Sequence, residues 1–363
     1  MILGILNEHD QRVAIVPQLI KKFQKLGFEI WIEKGAGETA FYSDADYESA
    51  EGKVTSKSEI LANADVLVTY HPPSDDDLRA LKSQALVVST FAPYIDDSII
   101  EHLKQFDIIP FSLDMIPRTT IAQSMDVLSS MASVAGYKAV LEAANYLPRY
   151  FPMLITAAGS IKPCSVVVLG AGVAGLQAIA TAKRLGAVVE ASDPRAAARE
   201  EILSLGGKFI EVAGANDDIG AGGYAVEQSK EFLQKQAELV QERAAKADII
   251  ITTAQVRGRK APVLLPTSTV EKMKKGSVIV DLAASTGGNC ELTEDGKVIS
   301  HNGVTIIGDS NLAAKMPTDS SFLFSNNIHN YLKIMVKDGQ IDLDWENEII
   351  AKSCLKSKNK GEN

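Results

Sequence analysis

At 363 residues, 46% hydrophobic and 23% charged, the chain has an ordinary globular composition and is too long for one compact core, which favours two domains. A formal charge of −9 with no basic cluster argues against a nucleic-acid surface. Three widely spaced cysteines, Cys164, Cys290 and Cys354, and scattered histidines fit a reducing compartment and no metal site. No apolar run approaches the roughly eighteen residues needed to span a bilayer. Residues 2–6 run straight into Asn7-Glu8-His9-Asp10 and form no signal core, so a cytoplasmic protein that touches membranes only through partners is expected.

In chain order, residues 2–6, 29–33, 66–70, 85–90 and 107–111 are short strand candidates, with helical periodicity at 17–26 and 97–105. This alternation predicts a mostly parallel sheet flanked by helices. Its first strand is followed by NEHDQRV at 7–13 with no glycine turn, so this half is not expected to clamp a pyrophosphate. Residues 124–146 form a long helical stretch that can cross between domains, with Pro148 beyond its end. Six further strand candidates, at 166–169, 187–192, 208–212, 248–253, 277–282 and 304–307, match a complete doubly wound domain of the dinucleotide type. The glycine-rich stretch 213–225 reads as a lid or long connection whose Tyr224 either closes on a ligand or anchors the next helix. The helical stretch 322–336 returns to the first half, and the lysine-rich tail 352–363 is expected to fray. The fold class expected is α/β: two Rossmann-like doubly wound parallel-sheet domains with a cleft between them. Residues 1–126 with 318–363 form the first, lacking a phosphate clamp, and 127–317 form the second.

Gly170-Ala171-Gly172-Val173-Ala174-Gly175 carries the most chemistry. A buried strand precedes it, an apolar-periodic helix follows, and the next strand ends at Asp193-Pro194-Arg195. The first glycine permits the tight turn, the second lets backbone approach a pyrophosphate, and the third lets helix pack on strand. The helix N-terminus then faces the anion. Asp193 can accept from a ribose 2′-hydroxyl and would repel a 2′-phosphate, favouring NAD(H) over NADP(H); Arg195 could instead accommodate a phosphate, or simply pair with Asp193. At the carboxyl ends of the fourth to sixth strands of this half, Thr253-Ala254, Asp281-Leu282 and Asn311 should border the cofactor. Gly287-Gly288-Asn289 most simply makes a tight turn.

The segment RTTIAQSMDVLS at 118–129, with the glycine motif and GGNC at 287–290, closely resembles the NAD(H)-binding alpha (alpha-1) subunits of proton-translocating NAD(P) transhydrogenases, in the alanine dehydrogenase/transhydrogenase family. The resemblance runs from Arg12 to about His329. It implies a homodimer that passes hydride between its own NAD(H) and NADP(H) held by a beta subunit. Further implications are a small membrane-spanning alpha subunit, coupling to proton translocation, and a peripheral place on the cytoplasmic face of the inner membrane. It also implies that Arg118, Gln123, Asp126 and Ser129 line the nicotinamide pocket. Gln123 and Ser129 could hydrogen-bond the carboxamide, Arg118 could respond to the ring's charge, and Asp126 could orient either. A plain helix start, with Thr119 or Thr120 as cap and Gln123 near the third position, accounts for the same residues. Three departures from the family pattern stand out: Ile121 in place of a second arginine, Asp309 in place of a histidine, and Arg257-Gly258-Arg259 in place of a Pro-Gly turn.

Alanine dehydrogenases share this architecture and are the main alternative. Their chemistry needs a proton shuttle and a carboxylate clamp. The strand-end lysine and histidine of that group are missing at 68–72 and 89–93 here. Arg12 matches the clamp but is common to both groups, and His71, ahead of Pro72 and Pro73, reads as the end of a strand. A non-catalytic NAD(H)-binding regulatory module is the alternative from another class.

Overall fold

The structure, a computed structural model, describes residues 1–211, 230–256 and 258–356. The chain divides into two compact units, Met1–Met131 with Ala313–Asn363, and Ala132–Leu312.

In the first unit, β1 (Ile2–Ile5), β2 (Glu29–Glu33), β3 (Lys53–Thr55), β4 (Val66–Val68), β5 (Ala85–Ser89) and β6 (Ile108–Ser112) form a parallel sheet in the order 3-2-1-4-5-6. Every residue of β4 and β5 is buried. That is why these strands read as continuous apolar runs: helices cover both faces of a parallel sheet. Tyr70 and Thr90 fall just past the strands expected to contain them. The edge strand β3 escaped the sequence reading because its three residues, Lys-Val-Thr, are all at least partly exposed and leave no apolar run.

Helix α1 (Val127–Tyr146) begins three residues later than expected, because Ser124 belongs to a preceding 3₁₀ turn, Ile121–Met125. A short antiparallel hairpin, β7 (Leu154–Thr156) and β8 (Gly159–Ile161), follows in a stretch with no expected strand. The second unit then builds a sheet from β9 (Ser165–Leu169), β10 (Val188–Ser192), β11 (Lys208–Phe209), β12 (Ile249–Thr252), β13 (Val278–Asp281), β14 (Lys297–His301) and β15 (Val304–Gly308). Its order is 11-10-9-12-13-15-14, so this sheet has seven strands where six were expected. The extra strand, β14, pairs antiparallel at the edge and buries no residue fully, so its apolar signal is weak.

Side chains alternate across each central strand. Val166, Val168, Ile249, Ile251, Val278 and Val280 face one core with Ala178, Ile179 and Ala182 of α2 (Val173–Arg184), while Val167, Leu169, Ile250 and Ile279 face the other with Ala244 of α3 (Lys230–Lys246). Helix α4 (Pro317–Lys333) belongs to the first unit and starts five residues before the helical stretch expected there. Among the described residues no helix is long and apolar enough to cross a membrane.

Asp248 ties the lower end of the second sheet together. Its carboxylate accepts from Ser165 N at 2.9 Å, Arg149 Nη1 at 3.0 Å and Lys274 Nζ at 3.1 Å, with a side chain only 6% exposed. Burial alone would raise this carboxyl, but those donors outweigh it and hold the group below the ordinary value of 3.8. A depressed folded-state value means that the stabilisation is complete above the unfolded value and is lost as pH falls through the folded one. Asp248→Asn should therefore lower stability at neutral pH by about 1–3 kcal/mol and soften the loss of stability below about pH 4. Denaturant unfolding of both proteins across that range checks it; parallel acid limbs would refute the assignment.

Candidate functional site

The glycine motif folds as a closed turn at the head of α2. Gly170 adopts φ +100°, a conformation that strains any other residue. A Cβ on Gly175 would lie 1.9 Å from Gly170 O, so strand and helix meet at a distance no side chain tolerates. A Cβ on Gly172 would meet nothing within 4 Å. Gly172 is the N-cap of α2, and Val173 beside it is 44% exposed. The first and third glycines are needed by the fold, whereas the second faces open space before the helix N-terminus. These residues fit a dinucleotide pyrophosphate, which backbone N–H groups and the helix dipole would hold. Ala174 serves packing: a Cβ on Gly136 of α1 would lie 2.1 Å from Ala174 O. Gly136 was not singled out from the sequence, and its only signal is a glycine inside an otherwise Ala-rich helix.

Asp193, one residue past β10, accepts from Ala171 N at 2.7 Å, and from Arg195 N and Nε at 2.9 Å each. Arg195 Nη2 in turn donates to Ala171 O at 3.0 Å. Arg195 is thus the partner of Asp193 and brackets the Ala171 peptide with it, while Pro194 between them is exposed. Burial would raise the Asp193 carboxyl, but hydrogen bonds from Arg195 and from Ala171 N outweigh it and keep the group below the usual carboxylate range. A ribose hydroxyl arriving here meets an ionised carboxylate.

The strand ends beside the turn are laced to it. Thr253 Oγ1 donates to Gly170 O at 3.0 Å. Ala254 is held on both sides by Asn289, which accepts from Ala254 N at 2.9 Å and donates to Ala254 O at 2.8 Å. Asn289 is fully buried, although the sequence suggested no more than its place in a tight turn; Gly287 and Gly288 do make that turn, at φ +101° and +77°. Asp281, 0% exposed, accepts from Thr252 Oγ1, Ala283 N, Asn289 N, Cys290 N and Thr293 Oγ1 at 2.7–3.0 Å. Its carboxylate is occupied by the protein itself. Leu282 is buried, and its carbonyl accepts from Gln255 Nε2. Asn311 is exposed, with its N–H bonded to Asp309 Oδ1 at 2.9 Å. Tyr224, the stretch 213–225 and Arg257 lie outside the described residues.

In the first unit, Arg118 and Gln123 are exposed, and neither side chain has a hydrogen bond or ion pair among the described residues. Asp126 and Ser129 are paired with each other: Ser129 N donates to Asp126 Oδ1 at 2.9 Å and Ser129 Oγ to Oδ2 at 2.6 Å. Asp126 is therefore the cap of α1. Thr120, expected as a cap, makes no capping bond. Ile121 is 77% exposed and leaves that face of the turn without a second cation.

The first unit also has a crevice position, where β1 and β4 run side by side. Here Glu8 accepts from Tyr70 N at 2.8 Å and His71 N at 2.8 Å. Asp10 pairs with Arg12 at 2.6 Å and with His71 Nε2 at 2.8 Å, and the Arg12 guanidinium lies 3.5 Å from the centre of the Tyr70 ring. Burial would raise Asp10, but Arg12 and His71 hold it far below the usual range. This position is filled by the chain's own carboxylates.

The alanine dehydrogenase/PNT N-terminal domain family matches residues 4–135, and the alanine dehydrogenase/PNT C-terminal domain family matches residues 139–361. The chain belongs to the alanine dehydrogenase/PNT family. Over 360 residues, 95% of this chain and 93% of the relative, it is 43% identical to the first of the separately encoded pieces of NAD(P) transhydrogenase subunit alpha in Rhodospirillum rubrum. The crystal structure of the Sinorhizobium meliloti transhydrogenase superposes with a TM-score of 0.90 at 40% identity, covering 98% of both chains. An L-alanine dehydrogenase structure shares the fold, with a TM-score of 0.80 over 98% of this chain and 94% of its own, at 23% identity. In this α/β, Rossmann-like, NAD-binding family the glycine turn is the feature that residue chemistry alone had singled out.

Two substitutions separate the roles of its glycines. Gly175→Ala should cost roughly 1–3 kcal/mol or more of stability by forcing the turn apart. Gly172→Ala should leave stability within about 0.5 kcal/mol yet weaken NADH binding about tenfold or more, because it fills the open space. Unfolding curves and fluorescence titration decide between them; equal effects on both readouts would refute the division. Asp193→Ala should weaken NADH binding by about 1–3 kcal/mol, the cost of unpaired ribose hydroxyls. Unchanged affinity would remove Asp193 as the ribose ligand.

Proposed function

We propose that this chain is the NAD(H)-binding catalytic subunit of an NAD(P) transhydrogenase, passing hydride directly between its own nicotinamide and NADP(H) bound on a partner subunit. The carrying observation is the contrast between its two kinds of polar residue. The turn at residues 118–123 presents an unpaired cation and an unpaired amide, while the groups suited to proton chemistry, Asp10, Arg12 and His71, are bonded to one another. The nicotinamide supplies the hydride donor or acceptor when bound. Exchange between two such rings needs no net protonation, so proximity and orientation suffice.

The residues then divide the work. Gly170, Gly172, Val173 and Gly175 hold the pyrophosphate, and Asp193 receives the ribose hydroxyls by exchanging them for Arg195. Thr253, Ala254 and Leu282 supply strand-end backbone at the cofactor, and Asn311 a further contact. Asp281 acts on the cofactor only through Asn289. Gln123 fixes the carboxamide and so selects the ring face. Ser129, whose proton goes to Asp126, retains lone pairs to accept a carboxamide N–H. Arg118 senses the positive charge that the ring loses on reduction. A homodimer, an NADP(H)-binding beta subunit, a small membrane-spanning alpha subunit and coupling to proton translocation at the cytoplasmic face complete the reading. The Rhodospirillum relative is named as one piece of a divided alpha subunit, which supports a multi-subunit assembly.

The amino-acid dehydrogenase alternative would need Arg12 to clamp a substrate carboxylate. Asp10 already neutralises it and Tyr70 covers it. Incubation with NAD and L-alanine should accordingly give no NADH; turnover of alanine by the chain alone would overturn the proposal. Gln123→Asn provides the sharper test. A shortened amide misplaces the ring by about 1 Å, which costs on the order of a hundredfold in transfer when geometry carries catalysis. NADH affinity should stay within a few-fold, since the pyrophosphate and ribose contacts lie on other residues. Partner-dependent transfer and NADH titration on the one variant measure both. NADH binding with no transfer to any partner would favour a regulatory module.

A further inference from the structure

The turn that presents Gln123 is weakly made by its own backbone. Residues Ile121–Met125 form a single 3₁₀ segment, a geometry with poor hydrogen bonds, and no side chain caps its start. Ala122 and Met125 anchor it from below, at 1% and 5% exposure. What remains to be held is the Ser124 peptide, next to Gln123. Two amides of α4 hold it: Asn327 Nδ2 donates to Ser124 O at 2.9 Å and Asn330 Nδ2 to the same oxygen at 3.1 Å.

Asn327 is an expensive way to fill that position. It is 6% exposed, and its Oδ1 is buried with no hydrogen-bond partner. A buried amide that leaves its acceptor unpaired loses more by desolvation than an apolar side chain of similar size would. Stability alone therefore does not account for an amide here. The same helix face carries Ser321 and Ser325, both fully buried, which accept from Val13 N at 2.9 Å and Val16 N at 3.1 Å. The buried polar side of α4 is a row of clamps on loop backbone, and its last clamp grips the Gln123 turn.

We propose that Asn327, assisted by Asn330, is a positioning residue for hydride transfer: it fixes the Ser124 carbonyl and thereby the direction in which Gln123 points. This rests on the transhydrogenase reading above. Asn327→Leu keeps the bulk and removes the donor, and Asn330→Ala removes the second donor from a half-buried position where folding is not at risk. In both variants amide hydrogen exchange within residues 121–126 should accelerate about tenfold, the freedom expected when one tertiary bond to a short turn is lost. In the host's membrane fraction, supplied with NADPH and a spectrally distinct NAD analogue, Asn327→Leu should transfer hydride about tenfold more slowly. Its NADH affinity should stay within a few-fold and its melting temperature should be equal or higher. A purely structural asparagine would instead lower the melting temperature and leave the rate of the folded fraction intact. Unchanged exchange, or faster exchange with a wild-type transfer rate, overturns the positioning role. Absence of transfer by the unsubstituted chain, with exchange still faster in the variants, overturns the transhydrogenase reading and leaves the clamp on Ser124 standing.

Discussion

The contact between Gly175 and the Gly170 carbonyl is the constraint on which the second unit's chemistry depends. Strand β9 and helix α2 come so close there that no side chain can intervene. The approach is locked from three sides: Thr253 bonds the Gly170 carbonyl, Asp193 bonds the Ala171 N–H, and Gly136 lets α1 press on Ala174. Asn289 and Asp281 extend the lock through Ala254 to the end of β13. The ends of four neighbouring strands are thus joined by bonds between buried groups. A ligand that meets such a surface pays little ordering cost, which is what pre-organisation means for affinity.

How much of this was legible follows from which residues speak through composition and which through placement. The central strands are buried on both faces and β-branched, so β9, β12 and β13 declare themselves to within a residue or so. Edge strands do not: β3 and β14 are short and polar because solvent takes one side of them. The glycine turn was legible because its three glycines do different jobs at fixed spacing. Asp193 was legible by its distance from that turn. Its pairing with Arg195 needed only adjacency, and the alternative in which they pair is the one observed. Asn289 and Asp281 were not legible as partners, since nothing local reveals that an asparagine will bridge to a peptide 35 positions earlier. The cap of α1 was misplaced for a similar reason. Two threonines and an aspartate offered three starts, and the aspartate won by bonding both the N–H and the hydroxyl of Ser129.

The two units show how one topology is put to different uses. Both place their first strand beside their fourth, the reversal of strand order at which open α/β sheets bind ligands. In the second unit the loop after the first strand is all small residues, and the space at Gly172 is left open. In the first unit the corresponding loop carries Glu8 and Asp10, and Glu8 takes the very N–H groups, of Tyr70 and His71, that could have met an anion. Burial raises Glu8, and the two N–H bonds recover only a fraction of that cost. Two carboxylates at this position would repel a pyrophosphate, so the first unit is closed to a dinucleotide by charge as well as by the lack of a glycine turn.

That closure bears on the choice between the family's chemistries. An enzyme that moves protons and clamps a carboxylate needs a cation free to receive substrate. Here the cation suited to the task, Arg12, is 3% exposed, ion-paired to Asp10 and stacked on Tyr70. Freeing it would strand Asp10, whose side chain is 1% exposed, as a buried unpaired charge. Breaking such a pair from one side costs about 3–5 kcal/mol, more than one carboxylate–arginine contact with a small substrate returns, at about 1.5–3 kcal/mol for a hydrogen bond to a charged group. The first unit's remaining uncommitted polar groups, Arg118 and Gln123, are suited to holding a ring rather than to moving a proton. The balance of these energies, not the shared fold, is what sets this chain on the hydride-exchange side of its family.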